Sequence, residues 1–327
     1  MFGAAVPLAL ALAAPAAGAS APPALQFPLA CKIGVSCEVQ NYVDRDPGPG
    51  AKDYRCGRET YQGHKGVDIR LLDMAAQKRG VNVLATAPGV VSRTRDGMAD
   101  ISIRTPGAPS VAGQECGNGL LVDHGGGWTT QYCHMAKGSL VVKPGQKVQA
   151  GTVLGRVGLS GQTEFPHLHI QVVHDGQVVD PFDPDMADAT GCKAKTPLWS
   201  PAALAQLRYK EGAVLNAGFA GGPVKMEDVE AGAVPPAGAE APYLVAYGRG
   251  IGLEAGDVIA LSITAPDGKV LVQHSLPPLE GPKAQHIALI GKKRPPSGWP
   301  PGVYKASYSV IRKGKTAVAR TWQMKIG

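Results

Sequence analysis

Downstream of residue 80 the chain reads as short apolar runs cut by glycine-bearing turns: 81–84, 89–93, 101–104, 120–122, 128–132, 138–142, 153–157 and 168–173. Runs of this length favour strands over helices, and their close spacing predicts an antiparallel β domain. Residues 120–123 and 128–132 flank Gly125-Gly126-Gly127 and read as a hairpin; Pro144-Gly145 and Ala150-Gly151 mark turns on either side of a short strand. Residues 28–60 are rich in Gly, Pro and Asp and predict an ordered entry loop without regular structure. Ser200-Pro201 is a helix start, predicting a helix over 202–210, followed by a Gly/Ala/Pro-rich connector that ends near 241. Strand patterns then resume at 243–247, 257–264, 269–274, 285–290, 303–311 and 317–325, with 214–219 as an outlier that suits the same unit. Tyr304, Ala306, Tyr308 and Val310 alternate with polar neighbours, so the last unit buries one face, as in a small immunoglobulin-like β-sandwich.

The histidines are unevenly placed: six of the eight fall between 64 and 174. His167 and His169 are two apart on a predicted strand, so their rings share a face with Cα atoms about 6–7 Å apart. His64 and Asp68 on a straight strand would stand ~13 Å apart, too far to share one ion, so the chain must bend between them. Gly66 lies at that point and tolerates the backbone angles that a bend usually needs. Catalytic zinc takes three N/O ligands and leaves one position open; His64, Asp68 and one of His167 and His169 would supply the three.

Taken together, His64-x-x-x-Asp68, the run from Gly119 to Met135 containing Tyr132-Cys133-His134, and His167-Leu168-His169 resemble the lysostaphin/LytM-type zinc metallopeptidases that cut peptidoglycan. The resemblance covers roughly residues 30–185. It implies a barrel-sandwich hybrid fold, zinc held by His64, Asp68 and His169, and catalytic roles for His134 and His167. Cys133 departs from the pattern, where the family more often has a small residue. His124 reads as a strand-end residue, and Tyr61, near His64, is a candidate for polarising the scissile carbonyl.

Six cysteines behind an apolar Ala/Leu run that ends Ala19-Ser20-Ala21 predict a secreted chain in an oxidising compartment, periplasmic or extracellular, with residues 1–21 as signal peptide. Cys116 and Cys133 flank the predicted hairpin and make the first disulfide; Cys31 with Cys37 and Cys56 with Cys192 complete the set. No later segment is long and apolar enough to span a bilayer. The organisation expected is a peptidase domain over 28–200, a connector over 201–241 and a basic β domain over 242–327. The last carries 12 Lys/Arg against 4 Asp/Glu, favouring anionic cell-surface polymers as partners beside peptidoglycan, with nucleic acid least suited to a secreted chain. Within the fold, the alternative function is a catalytically silent LytM-like regulator that activates another hydrolase. A lipoyl or biotin carrier and a histidine phosphocarrier are more distant alternatives; the full set of five motif residues favours the enzyme.

Overall fold

The computed structural model describes residues 21–185, 192 and 196–327 of the chain. The leader expected over 1–21 lies outside these residues except for Ala21. Among the described residues no helix is long and apolar enough to cross a membrane.

The fold is mostly β. Its first part carries β1 (Cys37–Asn41), β2 (Val67–Leu71), α1 (Met74–Arg79), β3 (Asn82–Leu84), β4 (Gly89–Arg95), β5 (Asn118–Gly125), β6 (Trp128–Met135), β7 (Lys147–Val148), β8 (Val153–Arg156), β9 (His167–His174) and β10 (Gln177–Val179). These form a sheet in the order β1-β2-β9-β6-β5-β4-β7, with β10 paired to β9, and a separate β3-β8 pair. The core under them is Val67, Ile69 and Leu71 of β2, Leu168 and Ile170 of β9, and Tyr132 of β6, all essentially without solvent contact. The second part follows α2 (Pro201–Gln206): β11 (Ala213–Ala220), α3 (Met226–Ala231), β12 (Tyr243–Leu253), β13 (Val258–Thr264), β14 (Val270–Ser275), β15 (Lys283–Lys293), β16 (Gly302–Arg312) and β17 (Lys315–Ile326). Here a β11-β12-β15 sheet and a β14-β13-β16-β17 sheet share one core, in which Leu244 and Ala246 meet Ile259, Ile263, Tyr304 and Tyr308.

Most expected elements are present, with informative exceptions. Residues 101–104 form no strand: Ile101 and Ile103 are more than a third exposed and face no sheet partner. Residues 138–142 likewise stay irregular, joined to β8 through Val141 N–H to Leu154 O. The entry segment does contain a strand, β1, because its Cys37 and Val39 run along β2. The rest of that segment is ordered by aspartates as well as cysteines. Asp44 accepts from the backbone of Asp46, Lys52 and Gly63, and Asp53 from that of Arg55, Gly57 and Glu59. The helix after Ser200 is shorter than expected, ending at Gln206, and the connector contributes β11 and α3. All three disulfides join the expected cysteines.

The two parts are joined by buried polar contacts. Gln40 Nε2 donates to Ala284 O (3.3 Å), and Arg70 of β2 pairs with Glu230 of α3 (3.2 Å). Arg249 of β12, fully buried, donates both to Glu230 and to the Leu72 carbonyl at the end of β2.

The Cys116–Cys133 bridge fastens the β5-β6 hairpin where its register slips. Asn118 pairs with Met135 and Leu120 with Tyr132, so Cys133 and His134 together oppose Gly119. A side chain at 119 would run into the Tyr132 carbonyl at 2.1 Å, so only glycine lets the bulge close. Replacing both cysteines by serine opens a loop of 17 residues, for which chain entropy gives about 3 kcal/mol. Denaturant unfolding should show a loss of that order, and an unchanged midpoint would mean that the bridge adds nothing to the bulge.

Candidate metal centre and catalytic histidines

The site is assembled from two adjacent strands, one turn and one bulge. Asp68 in β2 stands directly opposite His169 in β9, so the sheet register alone brings carboxylate and imidazole together, with Asp68 Oδ1 2.8 Å from His169 Nδ1. His64 precedes β2 in an irregular segment and folds back on the same carboxylate, its Nε2 3.1 Å from Asp68 Oδ1 and 3.2 Å from His169 Nδ1. The bend between His64 and Asp68 is real, but Gly66 serves it differently from the sequence expectation. Its φ is not in the left-handed region; instead a Cβ there would lie 2.6 Å from both His169 Nε2 and the Ile170 carbonyl. Glycine is needed for close approach.

His64 and Asp68 are each oriented by a neighbour outside the motifs. His64 Nδ1–H donates to the Tyr42 carbonyl (2.6 Å), which leaves the Nε2 lone pair facing the cluster. Tyr42 is held in turn by an aromatic cluster of Tyr54, Phe182 and Tyr209, with ring centroids 5.1–5.4 Å away. Asn41 Nδ2 donates to Asp68 Oδ2 (3.2 Å), so Oδ1 is the oxygen left for the centre. The ligand atoms of His64, Asp68 and His169 all lie within 4.8 Å of one another. Burial opposes charge on both His64 and Asp68. Their mutual attraction outweighs it, raising the imidazole above its usual pKa and holding the carboxyl well below its own.

His134 and His167 flank this cluster with their rings 4.5 Å apart. His134 sits in the bulge at φ 60°, a left-handed conformation uncommon for a residue with a side chain. Its N–H donates to Cys116 O (2.8 Å), and its Nδ1–H donates to Ser160 O (2.8 Å). Ser160 is itself locked, its hydroxyl donating to Met135 O (2.7 Å) and accepting from Asn118 N–H (2.8 Å). His167 Nδ1–H donates to Phe165 O (2.9 Å), with the Thr163 hydroxyl 3.0 Å from the same nitrogen. Its Nε2 lies 3.5 Å from Asp68 Oδ1. Both rings thus turn Nε2 lone pairs toward the site. Burial pulls both pKa values down, that of His134 well below the usual histidine value, which favours the uncharged form of each ring.

All five residues named from sequence therefore meet in one place. The supports Asn41, Tyr42, Ser160 and Thr163 were not anticipated; the carbonyls of Tyr42, Ser160 and Phe165 leave no mark in sequence, since every residue has one. Tyr61 stacks on His64 at 4.4 Å and is half exposed, at the cleft edge. His124 is a strand-end residue, bridging Pro88 O (2.7 Å) and Thr130 Oγ1 (2.9 Å). Asp68, His134 and His167 line a cleft of about 800 Å³, with Thr60 and Tyr61 on one side and Thr163 to Phe165 on another. Part of its wall comes from the second part of the chain, Gly252 to Glu254 and Pro282 to Ala284.

A β scaffold with a convergent His/Asp/His set and two further imidazoles beside it defines a candidate metal-binding class of site. Residues 62–181 match the model described as Peptidase family M23, in keeping with the lysostaphin/LytM-type resemblance of the motifs. It is similar to the peptidoglycan DD-endopeptidase ShyA of Vibrio cholerae, 33% identical over 79 residues, which are 24% of this chain and 18% of that protein. It is also similar to the DD-carboxypeptidase/endopeptidase Mpg of Neisseria meningitidis, 29% identical over 123 residues, 37% of this chain and 23% of the relative. The chain thus spans about a fifth of the length of the curated relatives it matches. Among solved structures, the catalytic domain of lysostaphin from Staphylococcus simulans is 22% identical, with 45% of this chain and 90% of that one aligned at a TM-score of 0.29.

Asn41 is the most direct test of the supporting contacts. Asn41→Ala frees Asp68 Oδ2 and should weaken zinc binding about 10–100-fold, as loss of such outer partners generally does. Competition against a chelator of known affinity measures it, and wild-type affinity in the variant would remove Asn41 from the site.

Proposed function

We propose that the protein is a zinc-dependent endopeptidase that hydrolyses peptide cross-links of bacterial peptidoglycan, working in the periplasm or outside the cell. The observation that carries this reading is the convergence of His64 Nε2, Asp68 Oδ1 and His169 Nδ1, with Asp68 reaching a cleft that is also lined by the imidazoles of His134 and His167. The printed names of the relatives, peptidoglycan DD-endopeptidases among them, support the substrate class. A signal-like start and three disulfides support export. The completeness of the five-residue set favours an enzyme over a silent regulator.

The donor set fits zinc. With its Nδ1–H committed to Tyr42, neutral His64 points a lone pair at a carboxylate oxygen 3.1 Å away. Two acceptors so close need a cation or a proton between them. An N, O, N set suits zinc better than calcium or magnesium, which favour all-oxygen surroundings. His64, Asp68 and His169 would hold it, and when bound it supplies Lewis acidity and lowers the pKa of water toward about 7.

The protein's own groups then handle protons and orientation. His134 and His167 both start as Nε2 acceptors, so either can take a proton from the attacking water. The ring that takes it becomes a donor, able to steady negative charge on the carbonyl oxygen or to protonate the departing amine. Their carbonyl tethers keep both rings from swinging away. The Tyr61 hydroxyl at the cleft edge is placed to contact the peptide. In this reading the first part of the chain is a barrel-sandwich hybrid and the last an immunoglobulin-like sandwich. The exposed Lys292, Lys293, Lys313 and Lys315 of the latter would add salt-sensitive attraction to anionic wall polymers.

Metal and turnover should separate by residue. Asp68→Ala and His169→Ala should lose zinc by elemental analysis. His134→Ala and His167→Ala should keep one zinc per chain, yet cleave a defined cross-linked muropeptide about 10²–10⁴-fold more slowly. Full zinc in the first pair, or near-normal cleavage by either of the second, would sink the corresponding assignment.

A further inference from the structure

Two residues beyond Asp68 lies Arg70, a fully buried arginine. It stands opposite His167 in the β2-β9 register, and its guanidinium lies over the Phe165 ring, 3.8 Å from the centroid. Phe165 is the residue whose carbonyl receives His167 Nδ1–H. Arg70 is therefore built into the floor of the site, yet its charge is balanced from far away in sequence. Among the described residues the carboxylate in ion-pair contact with it is Glu230 of α3, 3.2 Å away. Its other partners are Gln40 Oε1 (3.0 Å) and Gln285 Oε1 of β15 (3.4 Å), and Gln40 is itself tied to Ala284 O. Glu230 also pairs with Arg249 of β12, which holds the Leu72 carbonyl at the end of β2. Glu230, Arg249, Ala284 and Gln285 all lie outside the matched segment 62–181.

We infer that Glu230 is a positioning residue for the hydrolysis: by holding Arg70 under Phe165 it sets the carbonyl that aims His167, so the second β unit works inside the active site. The inference rests on the proposed function and extends it to a part of the chain without motif residues. The physical argument is that a buried guanidinium without its carboxylate must find water or another acceptor, and the movement available to it passes through the Phe165 ring. Two of the proposed zinc ligands, His64 and Asp68, are tied elsewhere, to Tyr42 and Asn41, so losing Glu230 should disturb His167 and leave the metal in place.

The test uses the full chain. Glu230→Gln keeps the shape and an acceptor oxygen but removes the charge. It should retain one zinc and a wild-type KM for a soluble cross-linked muropeptide, with kcat down 10–100-fold. Glu230→Asp should restore part of the loss. Phe165→Leu, which removes the ring between guanidinium and carbonyl without touching a charge, should reproduce the fall in kcat. A second readout needs no activity: the ring ¹⁵N–¹H signals of His167, in zinc-free and zinc-loaded protein, should shift in both variants. Wild-type kcat in Glu230→Gln, a loss that tracks zinc content, or unmoved His167 signals would each overturn the inference and leave Glu230 as a docking contact. If Glu230→Gln does not fold, Phe165→Leu decides alone, and kcat within twofold of wild type rejects the link. If the wild-type protein itself cuts no muropeptide, the proposed function fails, while the His167 signals still report whether Glu230 positions that ring.

Discussion

Everything at the site depends on one cross-strand pair, Asp68 opposite His169. In an antiparallel sheet a slip of one residue sends a side chain to the other face, so this register decides whether carboxylate and imidazole meet at all. The apolar neighbours enforce it: Val67, Ile69 and Leu71 pack into the core, as do Leu168 and Ile170 from β9. A slip would carry those side chains into solvent and Asp68 into the core. Hydrophobic burial of the odd-numbered residues of β2 and the even-numbered residues of β9 thus holds a polar arrangement to which it contributes no ligand.

Around that pair, the same device recurs three times: a histidine whose Nδ1–H is committed to a main-chain carbonyl, at Tyr42, Ser160 and Phe165. A carbonyl does not titrate and moves only with its backbone, so it fixes both tautomer and ring direction. Each carbonyl is braced differently. Aromatic packing holds Tyr42, the Ser160 hydroxyl network holds Ser160, and the ring of Phe165 rests on Arg70. The disulfide at Cys133 belongs to the same scheme, because it closes the bulge that turns His134 toward the cluster.

The chemistry was legible in sequence because it sits on uncommon side chains at telling intervals, and the hairpin around residues 125–127 brought Cys116 and Cys133 together on paper before any coordinates. What stayed hidden is of two kinds. Backbone acceptors have no sequence signature, so the partners of all three tethered histidines are unreadable, and the chain bends at Gly66 as expected, but the need for glycine there comes from the close approach of His169 rather than from a left-handed φ. Long-range charge pairing was the other. Arg70 and Glu230 are 160 residues apart, and although Glu227, Asp228 and the capping Gly232 mark α3 locally, nothing in that stretch says which cation its carboxylate meets. For the same reason the last third of the chain reads as an appended basic module, although its loops wall the cleft. Residues 101–104 mislead in the opposite direction, since their alternation finds no sheet to join.

The contact between Gln40 and Ala284 spans 244 positions and sits beside the active cleft. Loops of that size close late, and the strands they bring together cannot begin to stabilise one another until the whole intervening chain exists. During synthesis the His/Asp/His segment emerges long before β12 and β15, and Arg70 precedes its counter-charge Glu230 by 160 residues. The cleft can therefore be completed only once the chain through β15 is present, however early the His/Asp/His segment is made.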